Sequence, residues 1–201
     1  KLYRELNDKD GITASIHDMG IVTYEQGDYE NARKLFEEQL ELNRKTEDKE
    51  GIATSLNDLG NMTYDQGDYE QARIYHEEAL ALRKELGNKR AIASSLNNLG
   101  NVAYNQGDLK EAQELHEESL TLKRKLGDKK GITTSLHNFG ILAGYMGDLK
   151  QAQSYFEESL SLVREIGDKL GIAETLYDLG SVEFKQGEYD KALELYEESL
   201  N

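Results

Sequence analysis

The sequence predicts an all-α solenoid built of about five antiparallel helix-turn-helix hairpins, and three observations predict it. A 40-residue motif returns in unbroken register. Gly20, Gly60, Gly100, Gly140 and Gly180 form one column, Gly27, Gly67, Gly107, Gly147 and Gly187 a second, and Ala32, Ala72, Ala112, Ala152 and Ala192 a third. A period of that length denotes a stacked unit in place of one central core. Proline is absent, 37% of residues are hydrophobic and 31% charged, which suits surface-exposed helices better than turn-rich strands. Within each copy the apolar residues recur at helical spacing, as in Ile52, Leu56, Leu59 and Thr63, and again in Tyr69, Ala72, His76, Ala79 and Leu80.

Residues 1–10 read as the tail of a preceding repeat helix, and the chain as a piece of a longer protein, because it opens in mid-pattern. The repeats then run 11–50, 51–90, 91–130, 131–170 and 171–201, the last truncated, all in one solenoid domain. Asp48, Asn88, Asp128 and Asp168 sit where an N-cap accepts the orphan amides of a first helix. Gly67 closes that helix, Asp68 caps the second, and Gly87, Gly127 and Gly167 close the second. The first repeat carries Thr46-Glu47 where later ones carry Leu-Gly, which predicts a longer or looser connection. A glycine inside a helix costs about 1 kcal/mol relative to alanine. Gly60 therefore predicts a close approach of the hairpin's two helices across Gly60 and Ala72, with Leu56, Leu59, Tyr69 and Leu80 filling around them.

Asp and Glu number 39 against 24 Lys and Arg, a formal net charge of -15 that repels phosphate backbones and anionic lipid. Neither nucleic acid nor a membrane is expected as a partner. No stretch approaches the roughly 18 apolar residues of a membrane span, and no basic-then-apolar signal opens the chain. A cytoplasmic location is the expectation, with any targeting signal lying outside this stretch. Cysteine is absent, which removes disulfides and thiolate metal sites. No phosphate-cradling loop, nucleophile elbow, zinc motif or dinucleotide fingerprint occurs. An active site needs unlike residues converging once, whereas this chain varies one theme, so no enzyme and no cofactor is predicted.

The stretch "LNDLGNMTYDQGDYEQARIYHEEALAL", Leu56 to Leu82, resembles the tetratricopeptide repeat: a bulky residue, Leu-Gly three residues on, an aromatic, Gly-Asp-Tyr, then spaced alanines. The 40-residue unit is similar to the long-repeat subclass of kinesin light chains and spindle-orientation adaptors. Leu stands in the usual Trp place, the usual final Pro is missing, and His76 and His116 occupy an aromatic position. The resemblance implies a right-handed superhelix whose first helices line a concave groove, and a non-enzymatic scaffold for protein or peptide partners, often part of a longer regulatory or adaptor protein.

On that implied face, helical geometry places Asn57, Asp58, Asn61, Tyr64 and Asp65 in the second repeat and Asn97, Asn98, Asn101, Tyr104 and Asn105 in the third. A carboxamide offers two donors and two acceptor lone pairs, so a column of Asn suits the alternating N–H and C=O groups of an extended peptide. The same residues also suit bonding to water or to neighbouring helices. Helix spacing of about 8–10 Å and a strand rise of about 3.3 Å give roughly three peptide residues per repeat.

In the fourth repeat Gly144 replaces the ring held by Tyr24, Tyr64 and Tyr104, and Tyr145 is displaced by one. This predicts a notch, with Ile21 and Ile141 adding apolar wall where Asn61 and Asn101 stand elsewhere. Neutral drift of a repeat predicts the same substitution without function. His17 and His137, followed by Asn138, share the groove position of Asn57 and Asn97. They serve as polar contacts or as groups that titrate near neutrality. His76 and His116 match Phe36, Phe156 and Tyr196, which indicates space-filling; two imidazoles are too few for a metal, and none is expected. The acid pairs from Glu37-Glu38 to Glu197-Glu198 read as a solvated convex face. The rival to a peptide groove is self-association into a homo-oligomer by end-to-end stacking of terminal repeats.

Overall fold

The computed structural model describes residues 2–6 and 8–200. They fold as helices α1 (Leu2–Leu6), α2 (Lys9–Glu25), α3 (Tyr29–Lys45), α4 (Lys49–Asp65), α5 (Tyr69–Leu86), α6 (Lys89–Gln106), α7 (Leu109–Leu126), α8 (Lys129–Tyr145), α9 (Leu149–Ile166), α10 (Lys169–Gln186) and α11 (Tyr189–Ser199). There are no strands among the described residues, and the all-α reading holds. Two compact units divide the chain, 1–107 and 108–201. The boundary falls at Gly107, inside the third expected repeat.

In the first unit α2 packs on α3, α3 on α4, α4 on α5 and α5 on α6, and the first helices α4 and α6 also touch. Its core gathers Phe36, Leu40, Leu56, Leu59 and Met62 with Ala32 and Ala79, all buried. In the second unit α7 packs on α8, α8 on α9, α9 on α10 and α10 on α11. Phe156, Leu160, Val163, Leu176, Leu179 and Val182 form one core cluster there, and Leu120, Ile132, Leu136 and Phe139 another. No helix among the described residues is long and apolar enough to cross a membrane.

The starts of α2 to α10 are each fixed by a side-chain cap, whereas Glu188 makes no such bond at the start of α11. Asp48 Oδ1 accepts the Gly51 amide at 3.1 Å, and Asn88, Asp128 and Asp168 do the same three residues on. Asp8 caps α2 in the same register through the Gly11 amide. The ends are as regular. Gly87, φ +69°, lies in the left-handed region where only glycine escapes a Cβ penalty, with its N–H on Lys84 O and that of Asn88 on Arg83 O.

The Thr46-Glu47 connection is neither longer nor looser. Glu47 N donates to Arg44 O and Asp48 N to Asn43 O, the same closure, but Glu47 is driven to φ +57° to make it. The repeat register and the Asp48 cap outweigh the preference of one residue.

The close approach at the inner glycines has a different partner from the alanine expected. A Cβ on Gly60 would lie 2.6 Å from His76 Cε1, one on Gly20 2.6 Å from Phe36 Cε1, and one on Gly140 2.4 Å from Phe156 Cε1. The missing side chain makes room for the ring on the second helix. Ala32, Ala72, Ala112, Ala152 and Ala192 are buried, at most 2% exposed.

Candidate functional site

Successive first helices present side chains to one another at a constant offset. In the first unit Tyr24 Oη donates to Asp65 Oδ2, Asn105 Nδ2 donates to Tyr64 Oη at 2.7 Å, and Asn98 Nδ2 donates to Asn57 Oδ1 at 3.2 Å, each pair 41 residues apart. His17 Nε2 lies 3.3 Å from Asp58 Oδ2 in the same register. The offset is one repeat plus one residue, the step by which the 40-residue period sets neighbouring helix faces against each other.

The predicted column of carboxamides is thus largely engaged within the protein. Asn57 Oδ1 also receives Arg83 Nη1 at 3.2 Å, and Asn98 Nδ2 reaches Asn61 Oδ1 at 3.2 Å as well. Asn97 is buried and not presented on the surface. Asn61 is exposed, and Tyr64, Asn98, Asn101 and Tyr104 are half-buried. Beneath them Arg83, 8% exposed, is tied to Ser95 Oγ at 2.6 Å. Burial pushes the Asp58 carboxyl above its ordinary range, against the opposing pull of His17, Asn57 and Arg83. Oδ2 of Asp58 is buried, facing His17 Nε2 across that 3.3 Å.

A pocket of about 300 Å³ opens on this face, lined by Tyr24, Asn61, Tyr64, Asp65, His76, Asn98 and Asn101. Tyr64 stacks edge-on against Tyr69 at 5.5 Å, and Tyr24 against Tyr29 at 5.7 Å, which holds both rings in place. Partial burial raises the Asp65 carboxyl, and burial raises the Tyr64 phenol. His76, 1% exposed, belongs to α5 and reaches the pocket wall past Gly60. Its pKa falls to about 4, through burial first and the charge of Arg83 second, so at neutral pH the imidazole is uncharged. Nδ1 of His76 is buried without a hydrogen-bond partner.

In the second unit His137 Nδ1 lies 3.1 Å from Asp178 Oδ2, the 41-residue pairing of His17 with Asp58 made through the other ring nitrogen. The Asp178 contact raises the His137 pKa against the effect of burial. A Cβ added to Gly144 would meet nothing within 4 Å, so the ring missing there leaves open space. Tyr145 is 75% exposed, Ile141 36%, and Asn138 half-buried. Phe184 stacks edge-on against Tyr189 at 5.4 Å, as Tyr64 does on Tyr69. His116, like His76, is buried and filled around, and no group of three or more metal-binding side chains exists among the described residues.

Three features escape a reading of the sequence. The column Asn43, Arg83, Lys123 and Val163 is buried, and its polar members bond Ser55, Ser95 and Ser135 of the next first helix at 3.1, 2.6 and 2.8 Å. Its mixture of polar, basic and apolar residues hides it, although the serine column twelve residues on is regular. The acid pairs are not merely solvated: Glu78, Glu158 and Glu198 receive Arg44, Arg124 and Arg164 of the preceding second helix at 3.0, 2.6 and 2.5 Å. The third is His76, legible as filler but not as part of a pocket wall.

Capped hairpins of constant length, laced by a one-repeat offset, define a tandem helical-hairpin repeat protein. The tetratricopeptide repeat profile matches residues 12–85, 91–165 and 134–201, and a second tetratricopeptide repeat profile matches 58–122. The chain belongs to the tetratricopeptide repeat family.

No curated protein matches the sequence significantly. Among solved structures it is similar to BtubC (BKLC) from P. vanneervenii, at 20% identity over 98% of this chain and 82% of that one, with a TM-score of 0.86. A putative kinesin light chain of Podosopora anserina with nearly identical TPR-like repeats matches at 18% identity over 92% of each chain, TM-score 0.75. The Rap conjugation gene regulator of plasmid pLS20, in complex with the Phr* peptide, matches at 20% identity over all of this chain and 55% of that one, TM-score 0.80. At such identities the likeness is one of fold, and it includes the kinesin light chain repeats to which the 40-residue unit was likened.

Proposed function

We propose that this chain is a non-enzymatic interaction scaffold that holds an extended peptide or protein segment along the face of its first helices, within a longer regulatory or adaptor protein. The observation that carries the reading is the pocket of about 300 Å³ on the α2–α4–α6 face, walled by tyrosines and carboxamides. Exposed amides such as Asn61 suit the main chain of an extended ligand, whose N–H and C=O groups want partners once water is displaced. The Phr* peptide complex of the Rap regulator, which shares this fold, is in keeping with it.

The test is selection from a random extended-peptide library on this chain and on a variant carrying Asn61→Ala, Asn98→Ala and Asn101→Ala, with light-scattering mass recorded for both. Enrichment that disappears in the variant supports the peptide face. No enrichment, together with a mass that grows with concentration, favours end-to-end assembly and overturns it.

A further inference from the structure

We propose that the pocket on the α2–α4–α6 face takes the cationic side chain of a lysine or arginine carried by the extended ligand. The inference rests on the peptide-binding reading above and assigns it a chemistry. Asp65 supplies the charge. Its Oδ2 accepts the Tyr24 hydroxyl, and Oδ1 has no protein donor among the described residues. No lysine or arginine lines the pocket, so nothing in its wall neutralises that carboxylate.

The remaining walls suit a cation. Tyr24 and Tyr64, each fixed by an edge-on ring, offer aromatic surface that attracts a guanidinium or ammonium. Asn61 Oδ1 receives one donor, from Asn98, and has a second lone pair free. His76 adds a polar ring to the same wall. The equivalent positions hold Phe36, Phe156 and Tyr196, rings that fill the same space over Gly20, Gly140 and Gly180, and a second buried histidine, His116. Here His76 lines the pocket, and its buried Nδ1, like that of His116, has no hydrogen-bond partner. Because the imidazole is uncharged, it does not repel a cation.

An anionic side chain would face Asp65 directly, and an apolar one would strip water from the carboxylate without replacing it. A cation resolves both. The net charge of -15 favours the encounter of such a ligand with the chain as a whole.

The experiment uses the chain as it stands and a displayed library of random peptides of about twelve residues. The strongest selected binder is synthesised with a fluorescent label, together with a form in which its shared arginine becomes citrulline or its shared lysine norleucine. Both are titrated against the wild-type chain and Asp65→Asn, which can still accept the Tyr24 hydroxyl. The expected result is a lysine or arginine at one fixed register among the binders. Its neutral replacement weakens binding to the wild-type chain about tenfold or more, and to Asp65→Asn about twofold or less. Enriched peptides without a shared cation, or equal losses on both proteins, overturn the cation pocket and leave the peptide face standing. No enrichment at all overturns the peptide face and the pocket with it. The neutral-replacement comparison on wild-type chain keeps the proposal falsifiable should Asp65→Asn fold poorly.

Discussion

Replacing His76 by phenylalanine should make the first unit less sensitive to acid. The folded-state pKa of His76 is about 4 against the ordinary 6.5, so between those limits the unfolded chain binds more protons than the folded one. Stability from this group is therefore complete above pH 6.5 and is lost as the pH falls toward 4. Relative to pH 7.5, the loss works out at about 2 kcal/mol at pH 5 and about 3 kcal/mol at pH 4. Phenylalanine fits the site, because Phe36 meets Gly20 at the same 2.6 Å from an ideal Cβ as His76 meets Gly60. It also removes the partnerless Nδ1. Urea unfolding at pH 7.5 and 5.0 should then show the wild-type chain losing about 2 kcal/mol more than His76→Phe. The other histidines are common to both proteins and drop out of the difference. An NMR titration of the His76 ring carbons provides the direct reading. Parallel pH dependences, or a His76 titration near 6.5, would refute the burial argument.

Four further outcomes follow from the geometry. Glu47→Gly should raise stability by about 1 kcal/mol, read from the urea midpoint, since Glu47 sits at φ +57° where Gly87, Gly127 and Gly167 stand in later repeats. Two alanine substitutions in one helix should act oppositely. Gly140→Ala drives a methyl to 2.4 Å from Phe156 and should cost about 1–3 kcal/mol, whereas Gly144→Ala meets nothing and should gain about 0.5–1 kcal/mol in the same assay. His137→Gln should remove a stabilisation present below pH 6.5 and lost as the pH rises through the raised pKa of His137. The wild-type advantage should thus be larger at pH 6 than at pH 8.5, and below about 1 kcal/mol because the pair is partly solvated. Asn57→Ala should cost about 1 kcal/mol by removing an acceptor that Arg83 and Asn98 share, while exposed Asn61→Ala should leave stability within about 0.5 kcal/mol and lower peptide affinity instead.

The fold was legible because it rests on local rules repeated five times. A cap at Asp48 or Asp168 and a left-handed glycine at Gly87 or Gly167 act within a few residues of themselves, so the sequence displays cause and effect together. Glu47 misled because its closure is imposed by the cap that follows it, a force no single residue type reveals. The candidate face was legible only as a set of residues. That Asn57 and Asn98 would bond each other depends on the 41-residue offset between packed helices, which the 40-residue sequence period nearly but not quite discloses. The ring over Gly60 was misassigned for a related reason: periodicity says a glycine is needed but not which side chain uses the room.

The offset also decides where specificity can reside. A repeat array that used every face-presented group to lace its own helices would have a polar surface with nothing left to offer. Asn57 comes close to that state, its one oxygen shared by Arg83 and Asn98. Asp65 does not, because the single tyrosine hydroxyl it accepts occupies one oxygen and leaves the other. In the third repeat the same position is Asn105, whose Nδ2 bonds Tyr64 and so brings no charge to the lattice. Between these two tyrosine rungs of the first unit, an acid in place of an amide thus changes what the face can attract while leaving the lacing intact. On this argument selectivity in the array comes from the few positions where the ladder is chemically unbalanced, and Asp65 beside His76 is the place in the first unit where charge and an unpaired nitrogen coincide.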